Sequence, residues 1–110
     1  SETKNLINYS VIKKMKTSAI IVNTARGGII NENDLEKALN ENLLFGAALD
    51  VFSKEPVEKN NPLLKNNKVI LSPHSATFTD ECTSRMGIET TKNIIDFFEG
   101  NIDNSMVLKL

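Results

Sequence analysis

Cysteine and histidine are nearly absent from the chain, which carries one of each, and tryptophan is missing altogether. A lone Cys82 leaves no partner for an internal disulfide and suits a reducing compartment, so the expected location is the cytoplasm. No charge of either sign prevails: a formal net charge of -1, with acidic and basic residues interspersed, gives no electrostatic reason to expect nucleic acid or an anionic membrane surface as partner. No apolar run approaches the roughly eighteen residues that a bilayer span needs. The first residues, Ser1-Glu2-Thr3-Lys4-Asn5-Leu6-Ile7, have none of the features of a signal peptide. Repeats and low-complexity runs are lacking as well. So is any G-x-G-x-x-G string, the glycine pattern that lets a backbone approach a dinucleotide pyrophosphate. What is present is the ordinary composition of a globular domain, 40% hydrophobic and 25% charged.

Three short apolar runs read as strands: Ala19-Ile20-Ile21-Val22-Asn23, Gly46-Ala47-Ala48-Leu49-Asp50-Val51 and Val69-Ile70-Leu71-Ser72. Each is continuous rather than alternating, the pattern of a parallel sheet covered on both faces. Between the first two, Asn31 to Asn42 carries Leu35, Ala38 and Leu39 at helical spacing, with Asn31 as N-cap and Glu32 and Asp34 at the positive end of the helix dipole. Val11, Ile12 and Met15 give Ser10 to Lys16 the same period and predict a short helix ahead of the first strand. From Val51 to Lys68 the chain is polar, and Pro56 and Pro62 limit it to one helical turn at most. A long helix is expected from Thr79 to Glu99, its apolar side made by Met86, Ile94, Ile95, Phe97 and Phe98, with Gly100 as the stop. Beyond it, Met106, Val107 and Leu108 offer apolar side chains for docking. The fold class is therefore α/β: a partial, Rossmann-like, doubly wound parallel sheet of about three strands, with flanking helices and a long C-terminal helix.

Open parallel sheets bind ligands outside the carboxyl ends of their strands. After the first strand comes Asn23-Thr24-Ala25-Arg26-Gly27-Gly28, where two glycines leave room for a ligand to approach the backbone. Asp50 ends the second strand and Glu55-Pro56 follows it; Ser72-Pro73-His74-Ser75-Ala76 follows the third. Taken singly, each has a plain structural explanation. Arg26 could cap a loop, His74 could be a satisfied polar residue, Asp50 could cap a turn, and Gly27-Gly28 could mark a tight one. Taken together, their chemistry is complementary. A guanidinium binds a carboxylate through two parallel hydrogen bonds. An imidazole exchanges a proton near neutral pH, and a carboxylate beside it holds one tautomer. Such a set suits oxidation of a hydroxyl next to a carboxylate, with a nicotinamide to accept the hydride.

The strings VNTARGGIINENDLEKAL, GAALDVFSKEP and VILSPHSAT, in that order and at that spacing, resemble successive signatures of the D-isomer-specific 2-hydroxyacid dehydrogenases. The likeness runs from Thr3-Lys4-Asn5-Leu6-Ile7 to the helix ending near Gly100. It implies that Arg26 binds and polarises the substrate, and that Glu55 and His74 form the acid–base pair. It further implies that Asp50 contacts the nicotinamide carboxamide, and that Thr24, Ala25, Arg26, His74, Ser75 and Ala76 line the nicotinamide side of the cleft. The usual Gln of formate-oxidising relatives is replaced by Glu55, which argues against that substrate.

Residues 1–110 would then be the C-terminal portion of a dinucleotide-binding domain. The glycine-rich half, a strand beside Ala19–Asn23 and the substrate domain would all lie elsewhere. The expected partners are NAD and a small 2-hydroxy or 2-keto acid of the phosphoglycerate, glycerate or lactate type, in a homo-oligomer. These residues alone are expected to bind NAD weakly and to be inactive, and the unpaired edge of the first strand is expected to self-associate. A non-catalytic NAD-sensing corepressor and an inactive remnant are the alternative readings.

Overall fold

The computed structural model describes residues 2–107 and divides the chain into two compact units, 1–76 and 77–110. In the first unit the order is α1 (Tyr9–Ile12), β1 (Ile20–Asn23), α2 (Glu32–Asn40), β2 (Gly46–Leu49), a 3-10 turn (Pro62–Lys65) and β3 (Val69–Leu71). The strands form a parallel sheet in the order β1-β2-β3, with Ile21 opposite Ala47 and Ala47 opposite Val69. Strand order and type match the reading of the three apolar runs. Ala19 and Val51 fall just outside the strands, and Asp50 continues the ladder by donating its N–H to the carbonyl of Asn23 at 3.0 Å.

Local chemistry explains the helices. Asn31 caps α2, its side chain accepting from the N–H of Asp34 at 3.1 Å. The helix ends at Asn40; just beyond it Asn42 adopts the left-handed conformation (φ 59°) while the N–H of Leu43 reaches back to the carbonyl of Ala38. Glu32 and Asp34 do more than favour the helix dipole. Glu32 accepts from the N–H of Ser53 and from the Asn61 side chain, and Asp34 accepts from the N–H of Tyr9 at 2.9 Å. They tie α2 to the segments before and after it. The first helix is shorter than its apolar spacing predicts. Asn8 caps it, and after Ile12 the chain turns, so Met15 reaches the core from a turn instead of a helix face.

Leu35, Ala38 and Leu39 of α2, Ile12 of α1, Leu63 of the 3-10 turn and Ala47 and Leu49 of β2 form one buried cluster with Ile30, Leu44 and Phe52. Burying each large aliphatic side chain stabilises the fold by about 1.5–3 kcal/mol. The absence of a side chain at Gly46 allows close pairing there, since a Cβ would lie 2.9 Å from the carbonyl oxygen of Lys68. The sheet differs from the sequence expectation in one respect: among the described residues of the first unit, only one of its faces is covered. Ile20, Val22 and Ile70 are 59%, 64% and 75% exposed, while Ala47 and Leu49 point into the core. The covering elements α1, α2 and the 3-10 turn all share that core, so the alternate residues of β1 and β3 face outward.

The second unit is dominated by α3 (Asp80–Glu99). Thr79 caps it by accepting from the N–H of Cys82, and Gly100 (φ 74°) stops it in the left-handed conformation, with the N–H of Asn101 bonded to the carbonyl of Asp96. The bounds agree with the sequence, and no residue of α3 is buried. Phe97 and Phe98 touch edge-to-face at 5.6 Å and are exposed. Met106 and Val107 are exposed as well, while Leu108 lies outside the described residues. No described helix is long and apolar enough to cross a membrane.

Candidate active site

The three parallel strands end on one rim. Asn23 closes β1, Asp50 follows β2 and Ser72 follows β3, and the two gaps are bridged by Asp50 N–H to Asn23 O and Ser72 N–H to Leu49 O, each 3.0 Å. Parallel pairing in register makes this unavoidable once the apolar runs have similar lengths.

The loop after β2 turns so that Glu55 faces back toward the rim. Its Oε1 accepts from the N–H of Phe52 at 2.9 Å, and its Oε2 lies 2.7 Å from Nδ1 of His74. The sequence thus brings together its only histidine and a carboxylate 19 residues away. The Phe52 N–H, then the hydrogen bond to His74, hold the Glu55 carboxyl below its ordinary pKa. An ionised Glu55 facing Nδ1 fixes a proton there and leaves Nε2 as the nitrogen that can exchange one with a ligand. The Glu55–Pro56 peptide bond is cis. His74 itself is a non-glycine residue at φ 54°, a conformation that costs about 1–3 kcal/mol and persists only where neighbouring contacts enforce it.

Asp50 bonds the residues on either side of His74. Oδ1 accepts from the hydroxyl of Ser72 and the N–H of Ser75 (2.8 Å), and Oδ2 from the N–H of Ala76 (2.9 Å). The Ser72 hydroxyl, followed by the Ser75 N–H, lowers the Asp50 pKa against the opposing effect of burial. Asp50, Glu55 and His74 line one recess of about 490 Å3, floored by Phe52, Pro56, Val57 and Pro73.

Arg26 is not in that recess. It lines a neighbouring one of about 540 Å3 with Lys4, Asn5 and Gly28, and its Nη1 donates to the carbonyl of Ala25 at 2.7 Å. Thr24 and Ala25 are exposed on the lip of β1. A residue that sequence reasoning passed over shapes this lip. Asn23 is buried; its Oδ1 accepts from Ala25 N–H at 3.1 Å and its Nδ2 donates to the carbonyl of Arg26 at 3.0 Å. An Asn ending a buried strand just before Thr-Ala-Arg-Gly-Gly is the signal that could have found it, since Asx side chains fold the backbone that follows them. The glycines also divide their roles differently from the expectation of open space. A Cβ on Gly27 would lie 1.7 Å from the carbonyl oxygen of Phe52, so protein, not ligand, fills that room. Gly28, at φ 80°, makes the turn.

For a nicotinamide cofactor the rim offers a lip at Thr24 and Ala25 and the Ser75-Ala76 turn, while the Asp50 carboxylate between them is buried and already bonded to Ser72, Ser75 and Ala76. Nothing in these residues supplies the glycine pattern for a pyrophosphate.

Residues 1–76 match the family described as D-isomer specific 2-hydroxyacid dehydrogenase, NAD binding domain. A glyoxylate reductase from Aeropyrum pernix is 42% identical over 106 residues, which is 96% of this chain and 32% of that protein. Among solved structures, an acyclic imino acid reductase in complex with NADPH and D-Arg superposes with a TM-score of 0.83 at 30% identity, covering 94% of this chain and 33% of the other. A D-lactate dehydrogenase from Aquifex aeolicus, complexed with NAD and lactic acid, gives 0.73 at 31% identity, covering 91% and 34%. The chain spans about a third of the length of these relatives. With well over half of its length matched by that family's model, the chain belongs to the NAD-binding domain family of the D-isomer-specific 2-hydroxyacid dehydrogenases.

Proposed function

We propose that these residues are the acid–base side of an oxidoreductase that interconverts a D-2-hydroxy acid and its 2-keto acid with NAD(H), and that they form the C-terminal portion of its dinucleotide-binding domain. The observation that carries this reading is the 2.7 Å contact between Glu55 and Nδ1 of His74 at the strand rim. With Nδ1 held by Glu55, His74 gives a proton from Nε2 to the C2 oxygen in the reducing direction and takes it back in the oxidising one. Arg26 binds the substrate carboxylate through paired hydrogen bonds, for which its guanidinium must leave the carbonyl of Ala25. Thr24, Ala25, Asp50, Ser75 and Ala76 flank the nicotinamide, which when bound supplies or accepts the hydride at C2. The balance is 2-keto acid, NADH and one proton against 2-hydroxy acid and NAD.

Substrates of the glyoxylate, lactate and phosphoglycerate type suit this chemistry equally, because each presents a carboxylate beside the reacting carbon. The working form is read as a cytoplasmic homo-oligomer, whereas the edge position of β1 and the outward Ile20, Val22 and Ile70 bear on association of these 110 residues by themselves. A panel of 2-keto acids offered with NADH to the longest polypeptide carrying these residues tests the reading. Reduction of at least one member is expected. NADH binding with no turnover of any would instead indicate a cofactor-sensing protein.

A further inference from the structure

Asp50 spends its carboxylate on one short segment. It is 3% exposed, and its acceptors take the Ser72 hydroxyl before His74 and the N–H groups of Ser75 and Ala76 after it. His74 is thus bracketed on both sides by bonds to a single carboxylate, and it is the residue of that segment whose backbone is left-handed. The anchor itself belongs to the sheet ladder: Asp50 donates its own N–H to Asn23, and Leu49 accepts from Ser72, so the carboxylate projects from the end of the central strand. A carboxylate turned wholly toward a ligand would not need three protein donors, and buried acceptors of this kind define the conformation of what they bind.

We infer that Asp50 is a positioning residue that folds the Ser72–Ala76 segment around His74 and so delivers the imidazole to Glu55. The inference rests on the reading of His74 as the proton-exchanging group, but its geometry is testable without any turnover. Glu55 meets the imidazole and the N–H of Phe52, whereas Asp50 meets Ser72 and the N–H groups of Ser75 and Ala76, so only Asp50 bonds the segment that carries His74 through its backbone and the two carboxylates have separable effects.

Because His74 is the only histidine, selective 13C,15N-histidine labelling of the chain gives one unambiguous set of signals. A positive φ brings the amide and α protons of one residue close and yields a strong intraresidue NOE. Asp50→Asn keeps the size of the side chain but replaces one acceptor oxygen with a donor. It is expected to abolish the strong His74 NOE and to move the Nδ1 resonance, with core methyl signals unchanged. Glu55→Gln is expected to move Nδ1 while the NOE survives. A strong NOE in folded Asp50→Asn, or its loss in Glu55→Gln, overturns the inference. Should Asp50→Asn fail to fold, Ser72→Ala removes one of the three donors and decides the question: a weakened NOE supports the inference, and an unchanged one overturns it. Failure of the 2-keto acid panel would leave these signals untouched, so the two claims fail separately.

Discussion

The carbonyl oxygen of Phe52 occupies the place that a side chain on Gly27 would take, 1.7 Å from the ideal Cβ position. The loop after β1 therefore presses against the loop after β2, and backbone on both sides leaves nothing flexible to yield. Gly27→Ala is expected to destabilise the chain by about 1–3 kcal/mol, as overpacking does elsewhere. Thermal unfolding followed by circular dichroism measures it; a variant melting with the parent would show that the loops are not in contact.

Acid should loosen the site before it unfolds the core. Asp50 and Glu55 both have folded pKa values below their ordinary ones, because Ser72 and Ser75 donate to the first and Phe52 and His74 to the second. Depressed carboxyl groups contribute stability that is fully present above their unfolded pKa, about 4, and is lost as pH falls through the lower folded values. Urea midpoints measured between pH 6 and pH 2.5 should fall only in the acidic part of that range. In Glu55→Gln the fall should be smaller; an equal fall in both proteins would assign the acid sensitivity to other groups.

The open face and free edge of the sheet invite association. Ile20, Val22 and Ile70 lie outward, and β1 pairs only with β2 among the described residues. Sedimentation velocity at increasing concentration should reveal species larger than a monomer. A strictly monomeric profile at high concentration would contradict this, and Val22→Lys should reduce the larger species.

The strands and their common rim were legible because three continuous apolar runs ended in Asn23, Asp50 and Ser72, and parallel pairing carries strand ends to one side. The partnership of Glu55 with His74 was legible through the family's strings. Three features were not. Continuous apolar runs fit a sheet covered on both faces, and nothing in Ile20, Val22 or Ile70 says that a cover is lacking. The left-handed backbone of His74 is set by Asp50 from 24 residues away, a tertiary contact that no local propensity encodes. Arg26 was grouped with His74 by chemistry, yet its guanidinium turns to its own chain at Ala25.

Cofactor affinity should reflect what these residues lack. With no G-x-G-x-x-G turn to offer backbone N–H groups to a pyrophosphate, the 110-residue chain is expected to bind NADH only weakly. Fluorescence or calorimetric titration measures it. Low-micromolar affinity would mean that the nicotinamide side alone suffices.

The central claim is that His74, held by Glu55, moves the proton of a 2-keto acid reduction. Its most direct test is NADH oxidation with glyoxylate by the longest polypeptide carrying these residues, compared with its His74→Asn variant. The account predicts turnover that falls by about 10²–10⁴-fold in the variant, the usual contribution of a positioned acid–base group, with NADH affinity little changed. Turnover by the variant within a few-fold of the parent would contradict it.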